Sequence, residues 1–140
     1  MKEQAVHVTV PCGNGHGGCP GWAVQLIRDN ELGWDLEWTC DSCGIAHDEQ
    51  RGQAPEWLRA MIIAEHGISR LTVKDARGLD GGILKVFRKV FGLSLRDAQK
   101  QAKDFLGNGY SGTGVEVSFL GELMVNSGRE VSMEGSASGV

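Results

Sequence analysis

The chain has 140 residues, 41% of them hydrophobic and 23% charged, with a formal net charge of −4. This is ordinary globular composition, enough for one domain or two small ones, and it excludes a collagen-like, low-complexity or charge-dominated disordered chain. Met1-Lys2-Glu3-Gln4 leads into an alternating stretch with no apolar signal region, and no run of about 18 uncharged apolar residues occurs, so the expectation is a cytoplasmic protein without a membrane segment.

The charge is unevenly placed. Residues 1–52 carry three basic side chains against eight acidic ones, a net of −5, whereas residues 70–103 carry nine basic against three acidic, a net of +6. Opposite signs in successive segments point to two modules, of which only the second attracts an acidic partner.

Taken in chain order, Gln4 to Val10 alternates β-branched residues with others and reads as a strand that Pro11 stops. Gly13, Gly15, Gly17 and Gly18 then crowd the stretch between Cys12 and Cys19, as a backbone wrapping tightly around an ion requires. Trp22 to Arg28 and Trp34 to Thr39 read as two more strands, joined by a turn over Asp29 to Gly33. They lead into Cys40-Asp41-Ser42-Cys43-Gly44. Pro55 opens a helix that runs to about His66 and closes at Gly67, with Leu58, Met61 and Ile62 on its buried face. Ile68 to Asp75 alternates like a strand. Ile83 to Phe91 and Leu95 to Leu106 each place apolar residues at helical spacing, leaving Lys85, Arg88 and Lys89 on the outside of one helix and Arg96, Lys100 and Lys103 on the outside of the next. A short strand near Tyr110, a helix over about Glu116 to Asn126 and a strand over Arg129 to Met133 complete the pattern. The expected fold class is α+β: a three-stranded zinc ribbon at 1–52, a connecting helix at 53–67, a small β-α-α-β-α-β domain at 68–134 and a disordered tail at 135–140.

Four cysteines in two close pairs, in a chain without an export signal, favour metal over disulfides because the cytosol keeps thiols reduced. Cys40-x2-Cys43 has knuckle spacing, and about 20 residues separate it from Cys19, as a ribbon with an intervening hairpin needs. The first turn is looser. Cys12-x6-Cys19 encloses His16, so the ligand set is either Cys12, Cys19, Cys40 and Cys43, or three of these cysteines with His16. One Zn2+ held this way has no open coordination position and no neighbouring general base, so its role is structural. His47 is a further ligand candidate, read as an exposed loop histidine; Asp48 and Glu49 read as solvated charges. Trp22, Trp34 and Trp38 read as sheet core or inter-module contacts rather than base-stacking platforms.

The stretch from Ile83 to Ala98, with Gly92-Leu93-Ser94-Leu95 at its corner and Arg96-Asp97-Ala98 opening the second helix, resembles the C-terminal domain of the ribosomal large-subunit stalk protein. Gly112-Thr113 through Ser127-Gly128-Arg129-Glu130-Val131 would be its third helix, corner and last strand, so the likeness spans roughly 60 residues. In that family the first two helices recruit translation factors through a basic surface. The resemblance implies the same for Lys85, Arg88 and Arg96, while Asp80 and Gln99 stand where the family commonly has lysine. The Clp protease adaptor family shares the fold, but its Asn-Asp-Asp loop has no counterpart at Lys74 to Asp80.

The functional expectation is a non-enzymatic zinc-binding adaptor for protein–protein interaction. Lys85, Arg88, Lys89, Arg96, Lys100 and Lys103 dock an acidic protein or ribonucleoprotein, with translation machinery the partner that the resemblance implies. The alternative is a nucleic-acid-binding regulator using ribbon and basic face together, against which the −5 balance of the ribbon weighs. No Ser/His/Asp set, paired-carboxylate motif or phosphate loop suggests an enzyme or a small-molecule substrate.

Overall fold

The computed structural model describes residues 1–11, 18–40 and 44–135. Within them the protein is mixed α+β, with four helices and two antiparallel sheets. The first sheet is formed by β1 (Glu3–Val10), β2 (Cys19–Arg28), β3 (Glu31–Cys40) and β4 (Gly44–Arg51), in that order. The expected three strands are therefore four. β4 was illegible because an edge strand exposed on both faces needs no hydrophobic alternation, and Ile-Ala-His-Asp-Glu-Gln-Arg is exposed nearly throughout. The β2–β3 connection is also tighter than the expected five residues. Asp29 and Asn30 alone make the turn, at φ 54° and 61°, the left-handed pair that matches the twist of a two-residue hairpin.

Next comes α1 (Glu56–His66), which lays Leu58 and Ile62 against Val6, Ala23 and Ala54. Met61, expected on that face, is instead 38% exposed. The helix end is tied to β1, where His66 Nε2–H donates to the Ala5 carbonyl at 2.9 Å.

The remaining elements are β5 (Ser69–Val73), α2 (Gly81–Phe91), α3 (Leu95–Asn108), β6 (Tyr110–Gly112), α4 (Gly114–Asn126) and β7 (Val131–Glu134), with sheet order β6-β5-β7. The β-α-α-β-α-β element order matches the expectation. Both α2 and α3 are capped at their starts, Asp80 accepting from the Ile83 amide at 2.9 Å and Ser94 Oγ from the Asp97 amide at 3.2 Å. Ser94→Ala removes one of these acceptors without touching the core. Its midpoint of urea unfolding should fall by the equivalent of about 1 kcal/mol, and an unchanged midpoint would show that the cap contributes nothing.

Inside the larger core Ile83, Phe87, Phe105, Leu71, Leu120 and Met124 meet, and Leu32 of β3 enters the same cluster. The four-stranded sheet and the C-terminal elements thus share apolar burial. Between them lies α4, whose buried residues run right round the helix, from Val115 and Glu116 through Phe119 and Leu120 to Met124. A helix packed on several sides has no polar stripe to present. No helix among the described residues is long and apolar enough to cross a membrane.

Candidate functional site

Strand pairing sets which side of the four-stranded sheet each residue occupies. Ala23 pairs with Leu36 and Gln25 with Trp34, and these residues face α1 and α4, as the Gln25–Glu116 and Trp34–Trp57 contacts require. By the same alternation Cys19, at the start of β2, and Cys40, at the end of β3, belong to that face. Continuing the Gly21–Trp38 pairing by two residues brings them opposite one another at one end of the sheet. Cys19 is 2% exposed, Cys40 is half-buried, and both line one open depression of about 500 Å³ with Gly18 and Gly44. Of the expected ligands, Cys12, Cys43 and the alternate His16 lie outside the described residues. Two cysteine sulfurs at adjacent strand ends are of the donor type zinc takes, and the segments that would supply the rest join β1 to β2 and β3 to β4 at that same end.

His47 is not in a loop but on β4, opposite Glu37. Its Nε2 lies 3.4 Å from Asp35 Oδ2, 3.8 Å from Glu37 and 3.9 Å from Glu49. Asp35, His47 and Glu49 are close enough to share an ion, but Arg28 already takes both Asp35 oxygens at 3.1 Å and stands 3.8 Å from Glu49. The cation of this cluster is the guanidinium, so the group is an ion-pair network, and Glu49 is part of it rather than simply solvated. The Arg28 guanidinium is held charged above its ordinary range, first by that hydrogen bond to Asp35.

Lys85, Arg88 and Lys89 on α2, and Arg96, Lys100 and Lys103 on α3, are all exposed. Each helix buries its opposite side, Val86, Phe87 and Val90 on α2 and Ala98, Ala102 and Phe105 on α3. None of the six forms an ion pair among the described residues; Arg88 Nε reaches the Leu93 carbonyl at 3.4 Å, on the corner between the helices.

A third group of polar residues is buried. Glu116 on α4 accepts from Arg59 Nε at 2.6 Å and Nη2 at 2.9 Å, from Gln25 Nε2 at 2.9 Å, from Tyr110 Oη at 3.1 Å and from the Thr113 amide at 3.0 Å. Thr113 Oγ1 donates to Gln25 and accepts from the Glu116 amide, closing a capping box. Burial pushes the Glu116 carboxyl up, but the hydrogen bonds from Arg59, Gln25 and Thr113 outweigh it and hold it below the ordinary carboxylate range. Burial, then the Glu116 charge, push the Tyr110 phenol up. A Cβ at position 112 would collide with Glu116 Oε1, which is why a glycine stands there. Every lone pair of this carboxylate is directed at a donor of the chain itself, so Glu116 is a joint between sheet, α1 and α4 and not a general base.

No protein-family model, curated protein or solved structure matches the chain.

The Glu116 joint was absent from the sequence reading, although Thr113-x-x-Glu116 is a legible capping-box signature. Gln25, by contrast, is one polar residue in an alternating strand, and nothing local marks it as buried. Of the tryptophans, Trp34 packs edge-on to Trp57 of α1 at 6.2 Å, while Trp22, expected in sheet core or a contact between modules, is 41% exposed with the His7 ring 3.5 Å away.

Proposed function

We propose that the protein is a non-enzymatic adaptor: a structural Zn2+ held by Cys12, Cys19, Cys40 and Cys43, or with His16 in place of one of them, rigidifies the end of the four-stranded sheet, and the α2–α3 face docks an acidic protein or ribonucleoprotein surface. The observation that carries the reading is that face. Six exposed basic side chains, none of them in an ion pair among the described residues, sit on two packed, capped helices, which gives a fixed positive surface that steers an acidic partner at a salt-dependent rate. The β-α-α-β-α-β order beneath it is also that of the stalk-protein domain the sequence resembles, whose basic helices serve in recruitment.

Arg88→Glu with Lys100→Glu tests it. Both side chains are exposed, so the fold should persist by circular dichroism while capture of acidic proteins from a nuclease-treated extract falls about tenfold or more. Capture that is unchanged by the reversal would sink the docking role. Loss of all captured material on nuclease treatment would favour direct nucleic-acid binding instead.

A further inference from the structure

Among the described residues no helix packs on the face of the four-stranded sheet turned away from α1 and α4, yet it is not an ordinary polar surface. Trp22 and Ile45, 41% and 86% exposed, lie on it with His7 stacked on the indole. An open depression of about 500 Å³ is lined there by His7, Pro20, Trp22, Glu37, Ile45 and His47. Its rim carries Glu37 and Glu49, each with more than half of its side chain in solvent; Arg28 pairs with Asp35 and stands 3.8 Å from Glu49, which leaves Glu37 as the rim charge furthest from a guanidinium. Across the molecule the α2–α3 surface repeats this plan with the sign reversed. Leu95, 52% exposed, stands beside Arg96, with Arg88 at the adjoining corner and Lys100 one turn along. Each surface thus pairs an exposed apolar side chain with exposed charge, the combination that gives binding energy at a contact and orientation around it.

We infer that the outer face of the four-stranded sheet receives the α2–α3 face of a second copy of this chain, head to tail. A two-fold contact through either face alone would set acidic rim on acidic rim or basic on basic, so complementarity favours the heterologous arrangement, in which each copy uses one face toward each neighbour. The inference rests on the reading of α2–α3 as a docking surface and adds the sheet face as its mate.

Sedimentation velocity decides it. In about 20 mM salt the average mass of the wild-type protein should rise above that of one chain as concentration increases, and return to one chain in about 500 mM salt, where charges more than a few ångströms apart are screened. Trp22→Ala with Glu37→Gln disables one face, and Leu95→Ser with Arg96→Gln disables the other; each variant alone should remain a single chain. Mixed in equal amounts, they retain one matching pair of faces and should give a two-chain species and nothing larger. Glu37→Gln with Glu49→Gln changes side chains that are more than half exposed, so loss of association with an unchanged urea midpoint is not a folding defect. One chain at every concentration in low salt, or association that survives both face variants, would overturn the inference. If the protein is a single chain while its capture of acidic proteins still depends on Arg88 and Lys100, self-docking falls and the adaptor reading stands. If self-association follows the variants but that capture does not, the adaptor reading falls and the self-docking contact stands.

Discussion

Chelation of zinc, or the single change Cys40→Ser, is expected to unfold the strand ends that carry Cys19 and Cys40 and to loosen the four-stranded sheet. The apolar core on that side is small: Val6, Ala23, Ala54, Leu58 and Ile62 are its fully buried members. If the proposed site holds zinc, which contributes about 10–16 kcal/mol apparent in small zinc modules, its removal should outweigh any single side-chain change. Native mass spectrometry should find one zinc per chain, lost in Cys40→Ser together with protection of the β2 and β3 amides from hydrogen exchange. The C-terminal elements, with their own core around Phe87, Phe105 and Leu120, should keep their protection. A metal-free protein with a fully protected sheet, or a mass lowered by the hydrogens of one or two disulfides, would end the zinc reading and with it the expectation of a reducing compartment.

Glu116→Ala should cost about 3–5 kcal/mol of global stability, because it strands Arg59, Gln25 and Tyr110 with no acceptor in a water-poor joint. Arg59 retains 21% side-chain exposure, so water relieves part of the penalty and the lower end of that range is expected. The same carboxylate makes stability pH-dependent with a defined sign. Its folded-state value lies below the ordinary one of about 4.3, so the stabilisation is complete above that pH and is lost as pH falls through the lower folded-state value. Urea unfolding of the wild-type protein should therefore weaken steeply below about pH 4.3. Glu116→Gln, which cannot ionise, should show a shallower slope over the same window. Equal slopes would mean that the folded protein does not hold the Glu116 carboxyl below its ordinary range. The paired change Arg59→Met with Glu116→Leu should cost less than Glu116→Ala, since it removes charge and countercharge together and leaves only Gln25, Tyr110 and the Thr113 amide without their acceptor.

Much of the element order was legible from local signals. The period of apolar residues in Ile83 to Phe91 and Leu95 to Leu106 located α2 and α3 within two residues at either end, since amphipathic helices with one buried side show the 3.6-residue repeat directly. Gly67 and Gly92 marked the ends of α1 and α2, and both adopt positive φ, at 88° and 63°. The positive faces of α2 and α3 were readable because a solvated helix face is simply the complement of the apolar one.

By itself, then, the sequence determined where the chain turns, which helix faces are apolar, and that cysteines lie at both ends of a glycine-rich hairpin system. Only the tertiary structure decided the rest. β4 exists because the edge of β3 supplies hydrogen-bond partners, not because of its own pattern. Met61 is left in solvent and Leu32 of the sheet is drawn into the C-terminal core by how α1 and α4 happen to lie. Trp22 and Trp34, alike as residues, part company because alternation along a strand assigns opposite faces and only the packing of α1 and α4 settles which face is covered. Gln25, Arg59 and Glu116 meet from three elements up to 91 residues apart in sequence. Local propensity and periodicity register only neighbours within about one or two turns, so contacts at that separation have no local signature.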